Sequence, residues 1–127
     1  MLDINPEIVC HVIEQAREFH ADEDLGLKGA PEGPDDESAL KVLAELRTNE
    51  RFALAQAAID DLEPDQQQTL VALMWVGRGD FDAADFDSAL QTAQEAWTPR
   101  TAEYLLATPL VADYLEEALA QLGYACE

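Results

Sequence analysis

Apolar residues recur at helical spacing along most of the chain, and the segments carrying that period are separated by turn-forming residues. Over residues 6–20, Ile8, Val9, Val12, Ile13, Ala16 and Phe19 form one stripe and leave Glu7, His11, Glu14 and Glu18 facing outward, which predicts an amphipathic first helix. Residues 21–36 lose the period and collect Gly26, Gly29, Pro31, Gly33 and Pro34 among acids, as a linker does. A second helix is expected over 35–47, burying Leu40, Leu43 and Leu46 while Glu37 and Lys41 form an i,i+4 pair. After Thr48-Asn49, where Asn49 reads as a cap, a third helix uses Phe52, Ala55, Ile59 and Leu62; one longer bent helix across that break fits the pattern almost as well.

The fourth helix, 64–76, runs through Leu70, Val71, Ala72, Leu73, Met74, Trp75 and Val76 with no polar face, so it is expected at the centre of the fold. Gly77 is the expected stop, because glycine takes the left-handed conformation without steric cost. A fifth helix starts among residues 80–83 with Phe86, Leu90, Ala93 and Trp97 on one stripe. A short sixth over 99–107 turns Ala102, Leu105 and Leu106 inward. The last, 109–122, buries Leu110, Val111, Tyr114, Leu115, Ala118, Leu119 and Leu122, shows Asp113, Glu116 and Glu117 to solvent, and ends at Gly123. Asn5-Pro6, Thr98-Pro99 and Thr108-Pro109 each read as an N-cap followed by the first helical residue, with Glu63-Pro64 a weaker version. No segment alternates as a strand does. The pattern predicts an all-α, single-domain bundle of six or seven short helices spanning 1–127.

Composition agrees with a packed domain: 127 residues, 48% of them hydrophobic, suffice for a core without a metal or a disulfide. Cys10 and Cys126 lack metal-ligand spacing and read as ordinary thiols of a reducing compartment, a bridge between them being the alternative. With no basic, apolar leader at residues 1–6 and no run approaching a membrane span, the expected compartment is the cytoplasm. Charge changes the picture more. The net charge of -20, from 27 acidic and 7 basic residues, disfavours direct binding to nucleic acid or to anionic lipid, both of which need cationic side chains. The same charge suits solubility, or an acidic surface that docks a basic protein, including mimicry of nucleic acid.

Candidate chemistry concentrates in Leu73-Met74-Trp75-Val76-Gly77-Arg78-Gly79-Asp80-Phe81-Asp82, continuing to Asp85, Phe86 and Asp87. The spacing of Asp80, Asp82, Asp85 and Asp87 opens like a calcium loop, but Asp85 stands where such a loop requires glycine and Gln91 where it closes on glutamate. Acids favoured by the start of the next helix are the simpler explanation. Arg78 sits where a guanidinium clips a helix end to carboxylates, or binds an anionic ligand or a partner's carboxylate. The binding candidates are therefore Arg78, Asp80, Asp82 and Asp85; no catalytic residue, metal site or cofactor is assigned. His11 and His20 form no metal motif, and Cys10 beside His11 is no catalytic dyad, because adjacent helical side chains diverge by about 100°. Trp75, Trp97, Tyr104, Tyr114 and Tyr124 read as core or core-edge residues, the alternative being that Trp97, Tyr104 and Tyr124 line a groove for a partner's helix if they converge on the surface.

The run Leu73-Met74-Trp75-Val76-Gly77-Arg78-Gly79-Asp80, followed by Arg100-Thr101-Ala102-Glu103-Tyr104-Leu105-Leu106 and Leu110-Val111-Ala112-Asp113-Tyr114-Leu115-Glu116, resembles a bacterial family catalogued as domain of unknown function 3775. The resemblance spans about 64–123. It implies a bacterial protein and carries over no activity, ligand or catalytic residue. The expected function is therefore non-enzymatic association with a basic protein. The alternatives are a metal- or anion-binding enzyme centred on Arg78, Asp80 and Asp82, and a nucleic-acid mimic. The oligomeric state is open, a homodimer included.

Overall fold

The computed structural model describes residues 4–20, 50–98, 100–108 and 110–126. The expected linker at 21–36, the second helix at 35–47 and the cap at Asn49 lie outside the described residues. Those described form α1 (Pro6–His20), α2 (Glu50–Asp60), α3 (Pro64–Arg78), a 3-10 turn (Ala83–Asp85), α4 (Phe86–Ala96), α5 (Thr101–Ala107) and α6 (Val111–Gln121), with no strand among them. The fold is all-α, as the periodicity predicts.

Helix starts follow local chemistry. Asn5 Oδ1 accepts the Glu7 N–H at 2.9 Å, the bond an N-cap makes to an otherwise unpaired first-turn donor. Before α3 the Glu63 N–H donates to Gln66 Oε1 at 3.0 Å, half of a capping box. Thr98 Oγ1 accepts the Arg100 N–H at 3.1 Å ahead of α5. The fifth predicted helix starts later than its sequence suggests: a 3-10 turn at Ala83–Asp85 comes first, and regular α-structure begins at Phe86. Its stripe is also shallower, because only Ala89 and Ala93 are buried while Phe86 and Leu90 are half-covered.

The largest correction concerns Gly77. It is not the end of its helix; α3 continues through Arg78, and Gly79 at φ 98° is the left-handed residue that closes it. The Gly79 N–H reaches the carbonyls of Trp75 and Val76 at 3.1 Å, and the Asp80 N–H reaches Trp75 O at 2.9 Å, so the last carbonyls find donors. Gly77 serves packing instead. A Cβ there would stand 1.8 Å from the carbonyl oxygen of Tyr114, which means that α3 and α6 touch backbone to backbone at this point.

Around that contact the core assembles. α3 packs between α6 and α4, α6 in turn packs on α1, α1 on α2, and α2 on α5. Every residue from Leu70 to Val76 is buried. Phe19 of α1 and Phe52 of α2 meet with ring centroids 5.4 Å apart and planes inclined at 55°, a geometry aromatic pairs favour.

The cysteines also depart from expectation. Cys10 and Cys126 form a disulfide with Cα atoms 5.6 Å apart, so they are not the ordinary thiols their spacing suggested. Their distance in sequence hid the pairing. α6 ends at left-handed Gly123, the Tyr124 N–H donates back to Leu119 O at 2.8 Å, and the following residues reach α1.

Gly77→Ala should therefore destabilise the fold by about 3 kcal/mol or more, since overlap with backbone outweighs a helix-propensity gain of about 1 kcal/mol. Gly79→Ala, with open space around its Cβ position and only an unfavourable φ to tolerate, should cost about 1–2 kcal/mol. Urea unfolding of both variants checks the order; a milder loss at residue 77 than at residue 79 would contradict the close helix contact.

Candidate functional site

The Arg78 turn is built by the end of α3. Arg78 Nε donates to Asp80 Oδ2 at 2.8 Å, and a terminal guanidinium nitrogen lies 2.6 Å from the same oxygen. Desolvation opposes the charge on Arg78, but the hydrogen bond and attraction from Asp80, together with Tyr104, outweigh it and hold the guanidinium above its ordinary value. Behind this pair the phenol of fully buried Tyr104 accepts a hydrogen bond from Trp75 Nε1 at 2.8 Å, and Phe81 stacks on Trp75 at 6.0 Å. The turn is thus pinned from both sides.

Of the four binding candidates, the structure brings together two. Asp82 precedes the 3-10 turn without capping it through its side chain, and its carbonyl accepts the Asp85 N–H at 2.8 Å. Asp82, Asp85 and Asp87 are exposed, and among the described residues none of them forms an ion pair. Nor is any group of three or more His, Cys, Asp or Glu among those residues placed to hold a metal ion. The chemistry at this turn is that of a helix terminus clipped by its own arginine.

The aromatic side chains follow the core reading of the sequence and not the groove alternative. Tyr104 is wholly inside, and Trp97 Nε1 donates to Oε1 of buried Gln67 at 2.9 Å, so these rings serve the core and do not converge with Tyr124 on a surface groove. Gln67 spends its amide on Ile59 O and Leu62 O at 3.1 and 3.3 Å, tying the end of α2 to α3.

What the sequence reading missed lies on the α1–α6 face. Arg17 reaches across from α1 to Asp113 Oδ1 at 3.0 Å and Glu116 Oε2 at 3.3 Å on α6. Hydrogen bonds to Glu116 and then Asp113 raise its pKa above the ordinary value. The i,i+3 spacing of Asp113 and Glu116 was the available signal, but the matching cation sits 96 residues away. Beside this fork an open cleft of about 740 Å³ is lined by Glu7, Cys10, His11, Glu14, Arg17, Glu18, Glu116, Ala125 and Cys126, with Pro6 and Ile13. A smaller depression of about 380 Å³ lies on the far side of Glu7 and His11, against Asp61 and Leu62. Four glutamates thus face one concavity in which Arg17 is already engaged.

A second acidic group sits between α2 and α5. Gln56 Nε2 donates to Glu103 Oε1 at 2.8 Å, while Oε2 is buried and has no hydrogen-bond partner among the described residues. Desolvation, and then repulsion from Glu103 and Asp61, raises the Asp60 pKa.

Two measurements test these arrangements. Tyr104→Phe removes the acceptor of a buried indole N–H and should cost about 1–3 kcal/mol in urea unfolding; no loss would show that Trp75 is satisfied otherwise. Asp60 carries a raised folded-state pKa, so the folded protein holds its proton longer than the unfolded chain. Stability from this group is therefore present at acid pH and falls as pH rises through the raised value. Asp60→Asn should then raise the urea midpoint at pH 7, modestly because solvent screens the site, and leave it nearly unchanged at pH 3. An equal shift at both pH values would contradict this electrostatic origin.

Residues 53–124, more than half of the chain, match the model of a family described as a protein of unknown function, DUF3775. No curated protein and no solved structure matches the chain. The matched segment runs from α2 to the end of α6 and holds the Gly77–Tyr114 contact, the Arg78–Asp80 clip and the Trp75–Tyr104 pair. The chain belongs to the DUF3775 family.

Proposed function

We propose that the protein is a non-enzymatic acidic helical module that associates with a basic protein, and that the cleft beside α1 and α6 is where it does so. The observation that carries this reading is the set of Glu7, Glu14, Glu18 and Glu116 around one concavity whose guanidinium, Arg17, is already shared by Asp113 and Glu116. A protein of net charge -20 steers cations toward its whole surface, and a concave acidic wall focuses that field. Exposed acids also occur on α3 and α4, at Asp65, Asp87 and Glu95, so a single phosphate-like stripe has no particular support and mimicry of nucleic acid is the weaker reading.

The rival reading, a metal- or anion-binding enzyme at Arg78, Asp80 and Asp82, meets a chemical obstacle. Arg78 is engaged by Asp80, and an incoming anion must displace that carboxylate. The cytoplasm belongs to the same proposal. Among the described residues no helix is long and apolar enough to cross a membrane, and a Cys10–Cys126 bridge fits a reducing compartment only if it opens and closes.

The test compares two charge-reversed variants that alter net charge equally: Glu7→Lys, Glu14→Lys, Glu18→Lys against Asp82→Lys, Asp85→Lys, Asp87→Lys. Binding of a partner captured from host extract should weaken as salt rises through about 0.3 M, and calorimetry should show a loss of roughly tenfold or more for the first variant only. Equal losses in both variants, or retention by the first, would defeat the cleft assignment. A millimolar titration of the parent chain with Mg²⁺, Ca²⁺ or a phosphate ester that released heat lost in Arg78→Gln would favour the rival.

A further inference from the structure

The Cys10–Cys126 bridge occupies a place that a purely structural staple does not need. α1 is already held: Val9, Val12, Ile13, Ala16 and Phe19 are buried in the core, and Arg17 forks to two carboxylates of α6. The residues after α6 are held far less. Beyond the Tyr124 N–H bond to Leu119 O and the partial packing of Tyr124 and Cys126 on the core, Ala125 and Cys126 make no hydrogen bond or ion pair among the described residues, so the disulfide is the covalent tie that holds them to α1. Both cysteines are half-buried, and both line the 740 Å³ cleft, so the bridge borders an open concavity of the folded protein. Both also fall outside residues 53–124, so the bridge joins the two segments that flank the family's shared part.

We propose that Cys10–Cys126 is an exchangeable disulfide, a redox-modification site whose co-substrate is a dithiol, and that its opening releases residues 124–126 from the cleft while the helical core stays folded. A dithiol is the fitting class because its second thiol resolves the intermediate. One thiolate of the dithiol attacks a bridge sulfur, the Cys10–Cys126 bond breaks, and the departing sulfur leaves as a thiolate that takes a proton from water. The second thiolate then attacks the mixed disulfide, closing the reductant's own disulfide and freeing the other cysteine. Two electrons and two protons pass from the dithiol to the protein.

The surroundings set the rate. An attacking thiolate is an anion, and it approaches a wall formed by Glu7, Glu14, Glu18 and Glu116. Thiols bearing extra negative charge are therefore poor reductants of this bridge at low salt. The opened tail widens the same cleft proposed above for a basic partner, but exchange itself does not depend on that partner.

The experiment uses the full chain in native buffer, oxidised and then treated with dithiothreitol. Thiols are trapped by alkylation and read by mass spectrometry, with circular dichroism and hydrogen exchange in parallel. Reduction should proceed without denaturant at a rate within roughly tenfold of that for the unfolded chain, because the bridge borders an open cleft in the folded state. Helical signal should persist, and amide exchange should speed up at Tyr124, whose N–H is bonded to Leu119 O, but not at Val12 or Ile13. With glutathione, an anionic thiol, opening should quicken severalfold between low and high ionic strength. The Cys10→Ser, Cys126→Ser variant should show the released-tail exchange pattern under both redox conditions. The proposal is overturned if reduction occurs only at the rate of global unfolding, if helicity collapses on opening, or if the double variant keeps the tail protected. Because none of these readouts needs a binding partner, failure here leaves the cleft assignment to its own test.

Discussion

The contact of Gly77 with the carbonyl of Tyr114 is the constraint from which most of this structure follows. Two helices whose facing positions carry side chains keep their axes about 8–10 Å apart; a missing Cβ lets α3 and α6 come closer, with backbone against backbone. Once they are so placed, the apolar run from Leu70 to Val76 is enclosed by α6 and α4, and each side chain in it is buried. The same approach directs α6 so that Asp113 and Glu116 meet Arg17 and the chain beyond Gly123 returns to α1.

Polar groups inside the bundle are used to fix geometry. Trp75 donates its indole N–H to the Tyr104 oxygen, Gln67 serves Ile59, Leu62 and Trp97 at once, and Thr69, Thr101 and Thr108 return their hydroxyls to backbone carbonyls. Such pairs contribute modestly when made and cost considerably when broken, so they select one packing over its neighbours. The Arg78–Asp80 turn belongs to this scheme. Its arginine, influenced by Tyr104 and bonded to Asp80, closes a helix end.

The family segment and the features outside it divide these roles. Residues 53–124 hold the central contact, its polar pins and Glu116 of the cleft, whereas the bridge and the rest of the cleft draw on α1, Ala125 and Cys126. A bridge separated by 116 residues also restricts the unfolded chain, an effect of about 4–5 kcal/mol in the chain-entropy picture. Opening it therefore loosens the ensemble as well as the tail, while the packed face of α1 keeps the native state assembled.

The sequence by itself determined the helical class, the burial stripes of α1 and α3, most of the stripe of α6, where Leu110 was expected inward but is exposed, and the cap at Asn5, because each rests on residues within a turn or two of one another. Periods, caps and propensities are local. Tertiary structure alone decided the rest. Whether Gly77 or Gly79 ends α3 depended on what α6 presents to that surface; whether Tyr104 lies in a groove or in the core depended on Trp75, 29 positions earlier. The Arg17 fork and the cysteine bridge join residues about a hundred positions apart, and a linear pattern does not encode which distant groups a packed chain will bring within bonding distance. Hydrogen bonds, ion pairs and disulfides act over a few ångströms in space, whatever separation the chain places between their partners.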